Sequence, residues 1–318
     1  MRVVVALGGN AISRRGEAVT AENQRRNMRA ACAALAGAAE GNELVVTHGN
    51  GPQVGELALR DAAAGRPRPG SDEAPGALYT LDVLGAETQG MIGYLLEIEL
   101  RNALRDARML TTVLTLAEVD PEDPAFGRPT KFVGPVYEDA EAERVQQATG
   151  WHFARDGRRL RRVVPSPEPR RVIPVNSCEL LLAGGHVVVA GGGGGIPVVR
   201  EPDGTLRGVE AVIDKDRSSA VLAAGLQADL LVMATDASAV CLDWGTPDER
   251  ALRRTSVDEL ARHQFAEGSM GPKIDAAERF VRQTGHRAAI GNLDDLPGLL
   301  DGSAGTSIVP EPGTCVLW

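Results

Sequence analysis

The sequence predicts an α/β fold in which a mostly parallel β-sheet is covered by helices on both faces. Two observations lead to this fold class. Apolar strand-like runs alternate with helix-like segments, and the runs are continuously apolar rather than alternating with polar residues. Residues 2–7, for example, read RVVVAL and end at a glycine pair. A continuous run of this kind is typical of a strand buried on both faces.

The first half of the chain has the clearest alternation. Thr20 provides an N-cap for the first helix, and Pro52 stands near the start of the second, where proline is tolerated. The predicted elements are a strand at 2–7, a helix at 21–39, a strand at 43–47, a helix from about 52, a loop at 65–76, a helix at 81–107 and a strand at 109–116. Three glycines of the long helix allow close packing, and a second subunit is one candidate neighbour: Gly85, Gly90 and Gly93.

From residue 120 to about 171 the alternation stops, and the chain becomes rich in proline and charge. Five aromatic residues give this stretch a small core of its own, which argues against a disordered linker: Phe126, Phe132, Tyr137, Trp151 and Phe153. We therefore predict an inserted lid subdomain at about 120–171 that carries Lys131. Its many arginines are interpreted as a solvated face.

The strand and helix pattern resumes in the second half. The predicted elements are a strand at 186–190, a hairpin over 197–212 that turns at 202–204, a helix at 216–226, a strand at 229–234, helices at 257–263 and 272–284, and strands at 287–290 and 306–309. There is no internal repeat and no low-complexity segment.

Composition excludes several classes of function. The chain of 318 residues has a net charge of −9 and a pI near 5.2, which argues against a nucleic-acid partner or an anionic membrane surface. Four widely separated cysteines form no zinc or disulfide pattern and fit a reducing cytoplasm. The apolar stretch 180–199 is interrupted by glycines and a proline, so we interpret it as a buried strand with a glycine turn.

Glycine turns and lysines point to the chemistry of the site. Turns follow three of the apolar runs, at residues 8–10, 49–52 and 191–195, and Lys215 and Lys273 stand at predicted helix starts. Glycine lets the backbone approach a ligand, and helix N-termini favour anions. Taken together, the pattern indicates a site for a polyphosphate and its transfer. Taken singly, each glycine turn fits a simple tight turn equally well.

Familiar nucleotide motifs are absent from the sequence. There is no P-loop, no protein-kinase catalytic loop and no nucleophile elbow. The dinucleotide fingerprint would need a glycine at position 54, where the chain has Val54. His48, beside a glycine turn, is interpreted as structural because transfer to an anionic acceptor needs no general base.

An ordered set of motifs resembles carbamate kinase. The resemblance runs from residue 3 to about 310. The motifs that carry it are VVVALGGNA from Val3, HGNGPQVG from His48, GMIGY from Gly90, PTK ending at Lys131, VVPSP from Val163, GGGGIP ending at Pro197, GVEAVIDKD ending at Asp216, and GSMGPK ending at Lys273. Each glycine motif alone is weak, but the consistent order is specific.

The resemblance implies an amino-acid-kinase fold, a three-layer αβα sandwich around a mostly parallel open sheet, usually as a homodimer. It implies the reaction ATP + carbamate ⇌ ADP + carbamoyl phosphate, commonly run toward ATP at the end of arginine catabolism. The chain is then a single domain, 1–318. Residues 1–185, including the lid, form the acceptor half, and 186–318 form the nucleotide half.

The resemblance also assigns site residues. The catalytic set is Lys131, Lys215, Asp216 and Lys273, with Asp216 pairing the lysines. The acceptor and phosphoryl group would lie on the turns Gly8, Gly9, Asn10, Gly49, Asn50 and Gly51. The nucleotide would lie near Asp214, Thr235, Asp236, Val240, Met270 and Pro272. Mg²⁺ would arrive on the nucleotide phosphates, with no protein metal site. Read alone, Lys131 fits a solvated lysine, and Asp214 and Asp216 fit helix-start charges equally well.

One position favours carbamate over other acceptors. Many relatives of the fold carry a lysine two residues before the first glycine pair, whereas this chain has Ala6, as carbamate kinases do. Two departures from the family pattern are Phe132, where proline is expected, and the less bulky stretch 236–240. The alternatives are a kinase for another carboxylate, against which Ala6 argues, and a silent nucleotide-binding regulator. Retention of all four charged catalytic residues argues against the regulator.

Overall fold

The fold is described from a computed structural model that covers residues 1–12, 17–18, 20–64, 78–266 and 270–318. Asn10 is described by its backbone alone. The loop predicted at 65–76 lies outside the described residues, and so does Gly268 of the GSMGPK motif.

The described strands alternate with helices through most of the chain. The strands are β1 (Arg2–Leu7), β2 (Glu43–His48), β3 (Leu110–Thr112), β4 (Leu116–Val119), β5 (Lys131–Tyr137), β6 (His152–Asp156), β7 (Arg159–Val164), β8 (Pro169–Val172), β9 (Val187–Val189), β10 (Ile196–Arg200), β11 (Leu206–Gly208), β12 (Leu230–Thr235), β13 (Val240–Leu242), β14 (Arg250–Ser256), β15 (Arg287–Asn292), β16 (Thr306–Val309) and β17 (Cys315–Leu317).

The helices of the described residues vary from one turn to nearly seven. They are α1 (Ala21–Ala39), α2 (Gly51–Ala64), α3 (Leu81–Leu104), α4 (Asp139–Thr149), α5 (Val175–Ala183), α6 (Lys215–Gly225), α7 (Val257–Leu260), α8 (Met270–Thr284) and α9 (Leu296–Asp301). As predicted, Thr20 caps α1, because its hydroxyl accepts a hydrogen bond from the backbone N–H of Asn23 at 3.2 Å.

The central sheet is mostly parallel, as the sequence predicts. Its strand order is β13-β14-β16-β15-β12-β1-β2-β9-β3, and β17 pairs with β14. The strands from β15 to β3 in this order all run parallel, so β1 lies in the middle between β12 and β2. Antiparallel pairs are confined to the side of the sheet built from the last third of the chain.

Helices cover both faces of this sheet and complete the three-layer sandwich. Successive side chains of β1 point to opposite faces. On one face Val5 packs in the same core as Met28 of α1, together with α3 and α9. On the other face Ala6 packs in the same core as Phe280 of α8, together with α5 and α6. Burial on both faces explains why the strand runs are continuously apolar.

Several predicted boundaries differ from the structure. The helix predicted at 81–107 ends at Leu104, because Arg105 adopts a left-handed conformation with φ of 51°. The strand predicted at 109–116 is wrong as one element: β3 joins the central sheet, whereas β4 joins a second, four-stranded sheet in the order β11-β10-β4-β8. The stretch 180–199 begins within a helix that the sequence analysis missed, α5.

The lid region contains a separate small sheet. Strands β5, β7 and β6 form an antiparallel sheet, called the lid sheet below, and α4 connects β5 to β6. The last strand of the predicted lid, β8, instead pairs with β4 in the four-stranded sheet. Tyr137 and Phe153 meet edge to face with ring centroids 5.4 Å apart. Trp151 instead packs in a cluster shared with α2 and α3, and Phe126 packs in a cluster with β4 and β10 of the four-stranded sheet.

One further finding concerns membranes. Across the described ranges, no helix combines the length and the apolar character that crossing a bilayer requires.

Candidate active site

The predicted glycine turns meet at one edge of the central sheet. β12, β1, β2 and β9 are neighbours and run parallel, so their carboxyl ends lie side by side. The turns at 8–10, 49–51 and 191–195 follow three of these strands, and Thr235 ends the fourth. In open α/β sheets, ligands bind in the crevice outside these carboxyl ends.

Close backbone packing requires glycine at two of these turns. A Cβ on Gly8 would lie 2.9 Å from the carbonyl oxygen of Ala234 on the neighbouring strand. Gly193 has a φ of +64°, and a Cβ there would overlap the side chain of Asn50. By contrast, a Cβ on Gly9 would meet nothing within 4 Å, so the space beside Gly9 is open. The glycines therefore bring the turns together and leave room at the edge of the sheet.

Polar side chains hold these turns in place, and of the four involved the sequence analysis named only Asn50. Gln89 of α3 donates hydrogen bonds to the carbonyls of Gly192 at 2.8 Å and Thr115 at 3.0 Å. The Thr115 hydroxyl accepts from the N–H of Gly191 at 2.9 Å, and the Asn50 amide donates to the Thr88 hydroxyl at 2.9 Å. These four polar side chains are nearly or fully buried. A buried Thr-Gln pair within an apolar helix, at 88–89, is the sequence signal for them.

Asp214 sets the start of α6 and thereby the place of Lys215. Its carboxylate accepts hydrogen bonds from the backbone N–H groups of Asp216 at 2.9 Å and Arg217 at 3.4 Å, as an N-cap does. Lys215 is then the first helical residue, and its ammonium donates to the carbonyl of Leu7 at 2.8 Å. The lysine therefore reaches the carboxyl end of the central strand β1.

Asp216 joins the two lysines of the second half. Its carboxylate lies 3.1 Å from the Lys215 ammonium and 2.9 Å from the Lys273 ammonium, which comes from α8. All three side chains are at most 13% exposed. Burial alone would raise the pKa of the Asp216 carboxyl, but the two lysines outweigh it and hold the pKa well below its usual range.

Burial acts differently on the two lysines. Burial lowers the pKa of Lys215 to about 8, in spite of the neighbouring Asp216. Burial also opposes the charge on Lys273, but the attraction of Asp216 prevails and raises its pKa, with smaller contributions from Asp214 and Asp236. Lys273 therefore stays protonated throughout the physiological pH range, whereas Lys215 loses its proton just above neutral pH.

Lys131 completes the charged network from the lid sheet. Its ammonium forms an ion pair and hydrogen bond with the Asp214 carboxylate. Burial would raise the pKa of Asp214, but Lys131 counteracts this effect and the pKa is lowered. Three lysines thus face two aspartates, which leaves an excess of positive charge suited to an anionic ligand.

The whole sequence contains only these three lysines. Apart from histidine, all other cationic side chains are arginines, so every lysine of the sequence belongs to this site. A lysine ammonium is a compact point charge, whereas arginine presents a planar fork. This restriction of lysine to one site is a composition signal that the sequence analysis missed.

The remaining predicted residues lie nearby with differing exposure. Thr235 ends β12, and its hydroxyl donates to the Asp236 carboxylate at 3.1 Å. Met270 and Pro272 belong to the first turn of α8, next to Lys273. Val240, in contrast, is fully buried in the core at the start of β13. Of the turn residues, Gly49 lies against the Lys215 side chain, where a Cβ would be 3.7 Å from Cδ.

His48 is buried at the end of β2, as expected for a structural residue. Burial lowers the pKa of its imidazole to about 4, so the ring is neutral at physiological pH. One ring nitrogen lies 3.1 Å from the carbonyl oxygen of Gly49. The ring also lies against the backbone of Gly192, where a Cβ would be 2.5 Å from the other ring nitrogen.

Comparisons with known proteins agree with this geometry. The amino acid kinase family matches residues 1–292. The chain is 52% identical over 310 residues to a carbamate kinase of Rhizobium meliloti, covering 97% of this chain and 93% of the relative. It is 51% identical over 306 residues to a carbamate kinase of Escherichia coli, covering 96% and 98%. A structure of carbamate kinase from Giardia lamblia bound to AMP-PNP has a TM-score of 0.85 at 36% identity, with 98% of both chains covered.

These matches confirm both the predicted fold class and the resemblance noted from the motifs. The chain therefore belongs to the amino acid kinase family, a class of phosphotransferases, and within that family to the carbamate kinases.

Proposed function

We propose that this site catalyses reversible phosphoryl transfer, ATP + carbamate ⇌ ADP + carbamoyl phosphate. The observation that carries the proposal is the buried aspartate with a lysine on either side at the carboxyl edge of the sheet. Asp216 fixes Lys215 and Lys273 as neighbouring cations before any ligand arrives. A site prepared in this way stabilises charge that develops on a transferring phosphoryl group.

The reaction requires alignment of the two substrates and neutralisation of the charge on the transferring phosphoryl group, and no covalent enzyme intermediate. The phosphoryl group passes between an ADP oxygen and a carbamate oxygen, with negative charge spread over its equatorial oxygens. Lys215 and Lys273 would approach these oxygens from the nucleotide side. Backbone N–H groups of the turns at 8–10 and 49–51 would hold the acceptor and the transferring group, and Lys131 would approach from the lid sheet. Neutral His48 has no proton-transfer task here.

The two halves of the single domain divide the substrates. We assign the acceptor to residues 1–185, which contribute the first two glycine turns and Lys131. The nucleotide is assigned to residues 186–318, where Met270 and Pro272 lie in the same helical turn as Lys273, and Thr235 and Asp236 stand at the end of β12. The carbamate kinase from Giardia lamblia was solved bound to AMP-PNP, which supports nucleotide binding by this chain. Val240 would shape the nucleotide site from within the core rather than touch the base.

Mg²⁺ would enter as a complex with the nucleotide. In the described residues there is no group of three or more His, Cys, Asp or Glu side chains that could hold a metal ion. The carboxylates of Asp214 and Asp216 already pair with lysines. This arrangement fits an ion coordinated mainly by phosphates and water, the usual mode for Mg²⁺ in kinases. When bound, the ion neutralises phosphate charge, while the lysines act on the transferring group.

Carbamate is the acceptor best supported by the position of Lys215. Its ammonium reaches the carbonyl of Leu7, one residue after Ala6. Many relatives that act on other carboxylates carry a lysine on β1, at the position of Ala6. In this chain Lys215 places a cation beside β1 from another element. The carbamate kinases at about 50% identity support the same acceptor. We infer the ATP-forming direction, at the end of arginine catabolism, from the family resemblance.

We further infer a homodimer in a reducing cytoplasm. Val83, Gly90 and Tyr94 are exposed at helical spacing along α3, which is the helix whose glycines led to the subunit prediction. A Cβ on Gly90 would meet nothing within 4 Å, so this face has room for a partner. All four cysteines are free thiols, two of them buried, as suits a reducing compartment.

The decisive experiment measures ATP formation from ADP, Mg²⁺ and carbamoyl phosphate with a coupled luminescent assay. We expect a magnesium-dependent rate far above the spontaneous breakdown of carbamoyl phosphate. A folded protein that binds ADP but produces no ATP would contradict the proposal. That result would favour another carboxylate acceptor, which a screen of small carboxylates with ATP would identify.

A further inference from the structure

Two glycine backbones meet where the lid sheet packs against α2, beside a buried apolar cluster that contains Val54 of α2 and Val133 of β5. Gly55, in the second turn of α2, faces Gly134 of β5. A Cβ on Gly55 would overlap the backbone of Gly134 and would lie 3.0 Å from the carbonyl carbon of Val133. A Cβ on Gly134 would lie 3.2 Å from the Cα of Gly55. The helix and the strand are therefore in direct backbone contact, with no space for a side chain from either partner.

The strand is shaped for this contact. Gly134 has a φ of +70°, a conformation that other residues rarely adopt. The pairing of β5 with β7 is irregular between Val133 and Val136, so the strand bulges at the contact. The Gly134 carbonyl accepts a hydrogen bond from the Arg161 guanidinium of β7 at 2.8 Å. Local geometry thus presents the Gly134 backbone to α2.

The same strand carries Lys131, three residues before Gly134. One turn earlier in α2, a Cβ on Gly51 would lie 3.8 Å from the carbonyl oxygen of Phe132, so α2 runs along β5 toward the site. Lys131 begins β5 and pairs with Asp214. The position of this lysine relative to Asp214 therefore depends on how closely β5 lies against α2.

We propose that the contact between Gly55 and Gly134 sets the position of Lys131, so that both glycines are positioning residues for phosphoryl transfer. They act through the backbone and touch no reacting atom. The inference rests on the proposed function, because it assigns Lys131 to the acceptor side of that reaction. It adds a requirement that glycine motifs alone do not reveal: Gly55 serves the lid sheet rather than a phosphate.

The direct test is Gly55→Ala. Non-bonded carbon atoms prefer a separation of about 3.5–4.0 Å, so the added methyl group forces β5 outward by roughly an ångström or more. A displacement of about 1 Å in a reacting group can cost on the order of 100-fold in rate. We expect kcat/KM for carbamoyl phosphate to fall between about 10-fold and 100-fold, while ADP affinity stays unchanged.

A double-mutant cycle separates positioning from general damage. If Gly55 acts through Lys131, Gly55→Ala should change kcat/KM by less than about 3-fold once Lys131 has been replaced by alanine. Gly37→Ala is the matched control, because Gly37 is also a helical glycine and its Cβ would meet nothing within 4 Å. That control should leave activity unchanged.

A second readout does not depend on catalysis. Because the chain has three lysines, mass spectrometry after brief treatment with acetic anhydride reports on each of them separately. We expect Gly55→Ala to raise the acetylation rate of Lys131 several-fold, as its pair with Asp214 opens. Lys273 serves as the internal reference and should react as in the unmodified protein.

The outcomes distinguish this inference from the proposed function. If the unmodified protein forms no ATP, the function fails, and the acetylation pattern still tests the position of Lys131. Unchanged activity and unchanged Lys131 reactivity in folded Gly55→Ala would overturn the inference. Should that variant not fold, Gly134→Ala provides the same test from the lid side. Loss of ADP binding in both variants would also overturn it, because the contact would then support the whole fold.

Discussion

The lysines of the site fall into two environments that differ in burial and in support. Lys215 and Lys273 come from helices of the central sandwich and share the buried carboxylate of Asp216. Lys131 comes from the lid sheet, and its side chain is 29% exposed where it pairs with Asp214. A buried charge network resists rearrangement, because an unpaired buried charge is costly. The pair of Lys131 with Asp214 is only partly buried and therefore exchanges partners at lower cost. The central lysines are therefore fixed cations, whereas the lid lysine is free to transfer from Asp214 to a ligand.

The largest effect is expected from removing the negative charge of Asp216, which pairs with both Lys215 and Lys273. Asp216→Asn leaves two neighbouring lysines without their counter-charge, which should lower the free energy of unfolding by about 3–5 kcal/mol. Turnover should fall more than roughly 100-fold, since neither cation keeps its place. Chemical denaturation and the luminescent assay measure the two effects. Asp139→Asn, which affects an exposed pair with Arg155, is the control and should change stability by less than about 1 kcal/mol. Equal effects of the two substitutions would contradict the comparison.

Removing one buried lysine should separate catalysis from stability. Lys215→Ala or Lys273→Ala leaves Asp216 paired with the other lysine, so the protein should remain folded. Turnover should fall roughly 100-fold or more, the scale of losing one electrostatic stabiliser. Steady-state kinetics, with thermal unfolding as the check on folding, give the answer. Near-normal turnover in either variant would rule out the role assigned to that lysine.

The lid lysine should give a smaller and more selective loss. We expect Lys131→Ala to lower kcat/KM for carbamoyl phosphate by about 10-fold to 100-fold. It should lower the free energy of unfolding by less than Asp216→Asn does, because the pair of Lys131 with Asp214 is only partly buried. ADP binding, measured by calorimetry, should be unaffected because the nucleotide half is intact. Arg155→Ala, an exposed lid substitution away from Asp214, should alter none of these quantities. A loss of ADP affinity in Lys131→Ala would show that the two environments are not separate.

The smallest effect is a dependence of kcat/KM on pH that arises from Lys215. The free protein loses the Lys215 charge as pH rises through about 8, so kcat/KM should fall about tenfold per pH unit above that value. Bound nucleotide favours the charged form, and the decline in kcat should therefore begin at higher pH. Lys215→Arg keeps its charge throughout and should abolish the decline near pH 8. A decline that persists unchanged in that variant would exclude Lys215 as its origin.

The same group affects stability in a defined direction. Its folded-state pKa of about 8 lies below the ordinary value of 10.5, so the unfolded chain binds more protons between these values. Lys215 therefore reduces stability below pH 8, and this reduction disappears as pH rises toward 10.5. Lys273 has the opposite sign, because its pKa is raised: the stability it contributes is lost above its folded-state value.

Sequence reasoning predicts the fold well where local signals are strong. The cap at Thr20, the strands β1 and β2 and the carboxyl-edge turns all follow from short patterns, and the family resemblance orders them. It does less well where long-range pairing decides. The run at 109–116 has the composition of one strand, yet β3 and β4 pair with different sheets. Residues 175–183 form a helix that the sequence pattern did not predict. Its N-cap position is Pro174, which has no side chain that could cap the helix.

For the site, local sequence is sufficient to identify the chemistry but not the contacts. The residue types at 214–216 and at 273 predict a cationic site at helix starts, because caps and helix termini act within a few residues. The pairing of Asp216 with Lys273 joins residues far apart in the chain and depends on how α6 packs against α8. The same holds for Gly55 and Gly134. A glycine in the sequence indicates that the backbone is conformationally free at that position. Which other backbone comes into contact with it depends on the packing of the folded chain, where there is no space for even one additional methyl group.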